Sequence, residues 1–425
     1  MLVILSHPNK SFVTYNLQKL RYTGLSLNAS VGVHLKLNPN LTPYEQFIVE
    51  RRQKGLHREL PSALSSYAVS FSHSDYLGLS LHPALIEAAK KALRIWGTSG
   101  HASRLLLKSI PVYSELEHQI SSTLSTDKTI TFGSGYQANI STLSALLNSK
   151  ILKCSPLVFC DKLVHASIYQ GLKTASILPH RFHHQNLTHL ESLLASFQND
   201  TRPKFIIAET LYSMEGTKTD LPQLNQLAEH HNAILYLDEA HALGVCGKGG
   251  YGLSHRTIDP NRTIVMGTFS KGLGASGGFI SGPALLIDYL INASPGFIYT
   301  TAAPPSTIAA AKAAWDLSLT FDAQRQTMSS LATQLWEGFK ELGFATSPSP
   351  THIIPLILKT AEQTMAAQSE FKMHGIEVSA IRYPTVPMGQ ARLRFSIHAG
   401  LTQDDVSQAL MIAKNHIFPF IQRES

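Results

Sequence analysis

Lys271 stands in Gly267-Thr268-Phe269-Ser270-Lys271-Gly272-Leu273-Gly274, directly after the apolar run Thr263-Ile264-Val265-Met266. Glycines let backbone approach a ligand closely. A lysine shielded from water in such a place loses its proton readily and becomes a Schiff-base nucleophile. By itself the fragment also reads as a glycine-rich surface turn with a solvated lysine. In Tyr236-Leu237-Asp238-Glu239-Ala240-His241, an apolar run ends in an acid and a histidine follows. Those letters match the acidic box of some helicases, but the chain has no Gly-x4-Gly-Lys-Ser/Thr loop to hold a nucleotide. A third segment, Phe132-Gly133-Ser134-Gly135-Tyr136, leads into a helical stretch from Gln137 to Leu147. The free amides of a helix start bind phosphate. His165 and Ser213 add a lone imidazole and a hydroxyl beyond other apolar runs. One decoy fails on its context. Gly274-Ala275-Ser276-Gly277-Gly278 fits Gly-x-Ser-x-Gly, but Phe279-Ile280-Ser281 continues as a strand where a hydrolase elbow needs a helix.

These residues need a scaffold that brings distant segments together. Runs at 157–160, 204–208, 233–237 and 263–266 read as buried strands, with helical stretches such as Leu221 to His231 between them. That alternation predicts a mostly parallel sheet with helices on both faces, and ligands at the C-terminal ends of its strands. After about residue 320, a long helical stretch, strand-like pieces at 353–358 and 392–397 and a final helix after Thr402 predict a smaller α+β domain. The expected organisation is an N-terminal extension over 1–48, an arm over 49–83 packing with the small domain, a large domain over 84–320 and a small domain over 321–425.

Composition narrows the class. With 44% hydrophobic and 15% charged residues in 425, the chain can bury a large core and does not read as disordered. The formal charge of +7 is scattered, which argues against a nucleic-acid partner. Three cysteines show neither a disulfide framework nor a metal spacing, so a reducing, cytoplasmic setting is expected. No apolar run is long enough for a membrane span, and the first residues make a poor secretory signal.

Taken in order, the segments resemble the α-oxoamine synthase family of fold-type I pyridoxal-phosphate enzymes, from about Ser72 to Leu410. The stretches that carry the likeness are Ser74-Asp75-Tyr76-Leu77-Gly78, Leu163-Val164-His165-Ala166-Ser167, Leu211-Tyr212-Ser213-Met214-Glu215-Gly216, Asp238-Glu239-Ala240-His241, Thr268-Phe269-Ser270-Lys271-Gly272 and Ala391-Arg392-Leu393-Arg394. The resemblance implies an α/β fold and pyridoxal 5'-phosphate as cofactor. It implies Lys271 as Schiff-base lysine and acid/base, Asp238 against the pyridine nitrogen and His165 stacked on the ring. His241 and Ser213 would meet the ring oxygen. Gly135, Tyr136 and the Thr268 hydroxyl would meet the phosphate. Thr300 and Thr301 resemble a pair that reaches the phosphate of a neighbouring subunit, implying a homodimer with the site at its interface. Arg394 would clamp an amino-acid carboxylate, with Thr385, Ser74 and Arg58 as further substrate contacts.

The segment Ile381-Arg382-Tyr383-Pro384-Thr385-Val386-Pro387 points to the branch that condenses L-alanine with a pimeloyl thioester, on coenzyme A or an acyl carrier protein. That reaction releases carbon dioxide and free thiol in biotin biosynthesis. The sister activities, chiefly glycine C-acetyltransferase, stay open, as does an inactive cofactor-binding homologue. Two departures from the family are visible. Ser74 replaces the usual asparagine, and Lys108 replaces a glycine in the loop Ala102 to Ser109.

Overall fold

The computed structural model describes residues 2–5, 13–16, 38–58, 60, 67–107 and 109–418. Lys108 and much of the expected 1–48 extension lie outside them. The chain divides into two units, Met1–Leu60 and Pro61–Ser425. In the first, β1 (Leu2–Leu5) pairs antiparallel with β2 (Val13–Asn16), and helix α1 spans Thr42–Gln53. The described part of the extension therefore contains regular structure.

The second unit opens with helices α2 (Pro83–Trp96) and α3 (Pro111–Leu124). Strands and helices then alternate: β3 (Lys128–Phe132), α4 (Gly135–Leu146), β4 (Leu157–Asp161), α5 (Ala166–Thr174), β5 (His180–Phe182), α6 (Leu187–Ala195), β6 (Lys204–Glu209), α7 (Leu221–His230) and β7 (Ala233–Asp238). Strands β8 (Thr263–Thr268) and β9 (Gly278–Gly282) complete a seven-stranded sheet in the order β3-β9-β8-β7-β6-β4-β5. Only β9 runs against its neighbours.

The strands are apolar throughout because both faces are covered. Successive side chains alternate between faces. Val158, Ile207 and Tyr236 join one core cluster with Ala138 and Leu143 of α4. Phe159, Ile206, Leu235 and Leu237 join another with Leu190 of α6 and Leu224 of α7. Helix α7 shows how locally this is written. The Asp220 side chain accepts from the Gln223 amide at its start, and Leu221, Leu224, Leu227 and Ala228 make the helical stripe that is buried.

Helices α8 (Ala284–Ala293), α9 (Pro305–Ser318) and α10 (Asp322–Glu341) lead to the C-terminal part. There β10 (Ile353–Lys359), α11 (Ala361–Met373), β11 (Ser379–Ile381), β12 (Ala391–Ser396) and α12 (Gln403–Ile412) build a three-stranded antiparallel sheet, in the order β10-β12-β11, with its helices. Val69 and Ser70 pair in parallel with Ile376 and Glu377, and the Ser396 amide donates to Phe71 O, so residues 69–71 are tied to this part.

Candidate active site

The C-terminal ends of β3, β4, β6, β7 and β8 open on one edge of the sheet, and a cavity of about 230 Å³ lies there. It is lined by Ser134, Gly135, Tyr136, Asn139, His165, Ser167, Glu209, Asp238, Ala240, His241, Met266, Thr268, Ser270 and Lys271. The topology explains the gathering. Glu209 ends β6 and Asp238 ends β7, opposite one another in register, and Thr268 ends β8 three residues before Lys271.

One wall is the first turn of α4. Ser134 Oγ caps it by accepting from the Gln137 amide at 3.1 Å. Gly135 is needed because the helix start packs hard on the sheet. A Cβ there would sit 2.8 Å from Met266 Cε and 3.1 Å from Thr268 Cβ. The Thr268 hydroxyl donates to Gly277 O at 2.8 Å and lies 2.9 Å from Ser270 Oγ. Tyr136 is half exposed, and its ring meets that of His165 edge-on at 6.4 Å.

The floor is acidic and tightly bonded. Asp238 Oδ1 accepts from the Ala240 amide at 2.9 Å, and its Oδ2 accepts from Asn139 Nδ2 at 2.8 Å. Glu209 Oε1 accepts from the His165 amide at 2.6 Å. Burial pushes the Glu209 carboxyl well above its ordinary range, and the Asp238 charge beside it adds to the rise. Lys271 is drawn down to about 8 by loss of solvent, while Asp238 and Glu209 pull it up and Arg394 lowers it further. Burial also depresses His165, against the pull of Asp238.

His241 is deeply buried, and its Nδ1 lies 2.7 Å from the Tyr76 hydroxyl. Burial holds it neutral, well below the usual histidine range, and Lys271 and Arg394 depress it further. The His352 ring packs edge-on against Tyr76 at 4.3 Å. Arg394, on β12, is also buried, and its Nε has no hydrogen-bond partner among the described residues. Two residues earlier on the same strand, Arg392 Nη1 donates to Glu215 Oε1 and to Met214 O, each at 3.1 Å.

Helix-start amides, a half-buried lysine of lowered basicity and a bonded carboxylate make a donor set suited to a phosphorylated pyridine aldehyde. Known proteins agree with it. The sequence model of aminotransferase class I and II matches residues 67–411. An 8-amino-7-oxononanoate synthase of Gluconacetobacter diazotrophicus is 39% identical over 344 residues, 80% of this chain and 86% of that one. A solved serine palmitoyltransferase from S. paucimobilis, with pyridoxal phosphate and myriocin bound, has a TM-score of 0.80 at 27% identity, covering 91% of this chain and 99% of that chain. The crystal structure of 8-amino-7-oxononanoate synthase from Francisella tularensis has a TM-score of 0.72 at 28% identity, covering 84% and 98%. The chain belongs to the α-oxoamine synthase family. It is a fold-type I enzyme, a pyridoxal-phosphate-dependent acyltransferase.

Of the residues the sequence singled out in this α-oxoamine synthase, Gly135, Tyr136, His165, Asp238, His241, Thr268 and Lys271 share the cavity. Ser213 does not line it. Strand β6 ends at Glu209, four residues earlier, and Ser213 is buried in the loop beyond. Thr300 and Thr301 line a separate small recess with Arg104, Tyr113 and Gly133. Ser74 is half-buried in the turn before Tyr76, and its carbonyl accepts the Tyr76 amide at 2.8 Å. Thr385 is exposed in the loop between β11 and β12. Arg58 is exposed in the N-terminal unit.

Other residues at or beside the cavity were not singled out, Glu209, Asn139, Tyr236 and His352 among them. Glu209 obeys the strand-end rule that finds Asp238. Asn139 lies one helical turn after Gly135, on the same face. Tyr236 precedes Asp238 by two positions on the same strand face. For His352 the sequence carries no comparable signal.

Proposed function

We propose that the enzyme condenses L-alanine with a pimeloyl thioester, on coenzyme A or an acyl carrier protein, giving 8-amino-7-oxononanoate, carbon dioxide and free thiol for biotin biosynthesis. The observation that carries this reading is the convergence of Lys271, Asp238, His165 and His241 on one cavity in a chain 39% identical to an enzyme of that name. Bound there, pyridoxal phosphate supplies the electron sink that stabilises negative charge on the amino acid's α-carbon.

The chain's own groups do the rest. The amides of Gly135 and Tyr136 hold the phosphate, with Thr268 and Ser270 beside them. Asp238 would keep the ring nitrogen protonated, and His165 would stack on the ring. His241 is held by Tyr76 near the ring oxygen; Ser213 acts from the adjoining loop. Arg394, buried on β12 with its Nε unpaired among the described residues, takes the alanine carboxylate. Lys271 Nζ, its basicity lowered by burial to about 8, removes the α-proton and later returns one. A carbon–carbon bond forms to the thioester carbonyl carbon, the carbon–sulfur bond breaks, and the carboxylate leaves as carbon dioxide. Thr385 and Ser74 are the acyl-side contacts in this scheme. The working unit is a homodimer in which Thr300 and Thr301 serve the partner's phosphate.

The test is direct. Purified protein reconstituted with pyridoxal phosphate should change its visible spectrum with L-alanine and release thiol from pimeloyl-coenzyme A. Turnover with glycine and acetyl-coenzyme A in place of that pair would assign the glycine C-acetyltransferase activity instead.

A further inference from the structure

One buried side chain joins the two groups that flank the cofactor in this reading. Asn139, on the first turns of α4, is 1% exposed and makes three hydrogen bonds to side chains. The Tyr236 hydroxyl donates to its Oδ1 at 2.7 Å. Its Nδ2 donates one hydrogen to Asp238 Oδ2 at 2.8 Å and the other to Ser167 Oγ at 2.9 Å. The amide cannot flip without setting its oxygen against the carboxylate, so the directions are fixed. Ser167 Oγ therefore already accepts a hydrogen. It lies 2.7 Å from His165 Nδ1, and the Ser167 backbone N–H points at the same nitrogen at 3.3 Å. The backbone N–H can only donate, so Nδ1 accepts and the ring hydrogen sits on Nε2; the Ser167 hydroxyl, accepting from Asn139, is left to turn its own hydrogen to Nδ1.

We propose that Asn139 is a positioning residue that sets the site's protonation on both sides of the cofactor at once. It holds Asp238 as an acceptor toward the ring nitrogen, and through Ser167 it fixes His165 as the neutral Nε2–H tautomer. A neutral stacked ring matters because a histidinium over the pyridine would oppose the ring-nitrogen proton that Asp238 maintains. The inference rests on the roles proposed above for Asp238 and His165. The charged groups facing His165 are Asp238 and Lys271, with Glu209 bound to its amide.

The experiment uses apo-protein carrying 15N-histidine, with the His165 signal assigned by its loss in His165→Gln. The wild type should show the Nε2–H tautomer. Asn139→Ala and Ser167→Ala should each mix the tautomers and raise the His165 titration by about one unit. The two variants should then part in the loaded enzyme. Asn139→Ala should weaken pyridoxal-phosphate retention about tenfold and shift its absorbance–pH curve, because it also frees Asp238. Ser167→Ala should leave retention within about twofold of the wild type. An Nδ1–H tautomer in the wild type, or a His165 titration indifferent to both variants, overturns the proposal. Should Asn139→Ala fail to fold, Ser167→Ala and Tyr236→Phe decide it. The latter removes the donor that orients the amide, and an unchanged His165 signal in both counts against the proposal. A wild type that takes up no pyridoxal phosphate overturns the functional reading instead, and leaves the tautomer result to be judged separately.

Discussion

Burial draws Lys271 down to about 8, against the upward pull of Asp238 and then Glu209. Pyridoxal phosphate attaches to an amine only in its neutral form. Uptake by apo-protein should therefore rise about tenfold per pH unit up to about 8 and level above it. Asp238→Asn removes the largest upward pull, so the levelling point should move to lower pH even as retention weakens. Following absorbance after mixing across a pH series measures both; a levelling point that moves up would contradict this account. A second residue-scale expectation concerns Tyr76, which is fully buried with its hydroxyl on His241 Nδ1. Tyr76→Phe keeps the ring contact with His352 but leaves a buried imidazole nitrogen without its partner. The expected cost is about 1–3 kcal/mol, measured by urea unfolding.

Strand β12 carries two arginines with different duties. Arg392 is locked to Glu215 and Met214 O in the loop after β6, while Arg394 has no partner on its Nε among the described residues and bears electrostatically on Lys271 and His241. Alternate residues share a strand face, so the Arg392 lock sets where Arg394 stands. Glu215→Ala leaves a buried guanidinium uncompensated and should cost about 3–5 kcal/mol. It should also raise KM for the amino acid more than it lowers kcat, because Arg394 loses its bearing. Unfolding and steady-state kinetics on the same preparation check this, and an unchanged KM would separate the two arginines. Much at this scale was legible in advance. The runs at 157–160, 204–208, 233–237 and 263–266 became buried strands because their apolar character is continuous, and Asp238 and Lys271 could be placed from where those runs stop. Ser213 follows the apolar run at 204–208, but β6 ends at Glu209 and Ser213 falls in the loop beyond. Asn139, Tyr236 and the Arg392–Glu215 lock could not be read because each gains its meaning from a partner 97 or more residues away.

At the scale of the whole molecule, shared active sites and pH both leave measurable traces. Thr300 and Thr301 line a recess apart from the Lys271 cavity, and in the proposed homodimer they serve the partner's phosphate. A Thr300→Ala, Thr301→Ala double variant and Lys271→Ala should each be inactive alone. Mixed under conditions of subunit exchange, they should regain activity, because a mixed dimer keeps one intact site; no gain would confine the threonines to a local role. The pH argument turns on His352, which burial depresses to about 3, aided by Lys218 and Arg394. Its folded value lies below that of an unfolded histidine, so the unfolded chain binds the extra proton between about 6.5 and 3. The stability this group contributes is complete above about 6.5 and is lost as pH falls, by about 1.4 kcal/mol per unit for a single site. Raised carboxyls act in the opposite sense. Burial raises the carboxyls of Glu209, Glu215 and Glu239, so above an unfolded carboxyl's value they reduce stability as pH rises. The total curve mixes the two kinds of group, and only a difference isolates one. His352→Gln keeps a polar group beside Tyr76 but cannot titrate. Subtracting its unfolding free energy from that of the wild type at each pH should leave a line that is flat above about 6.5 and falls steadily toward pH 3. A flat difference throughout would mean that His352 takes its proton without unfolding the chain, and that the cluster around Tyr76 and Arg394 is open to water.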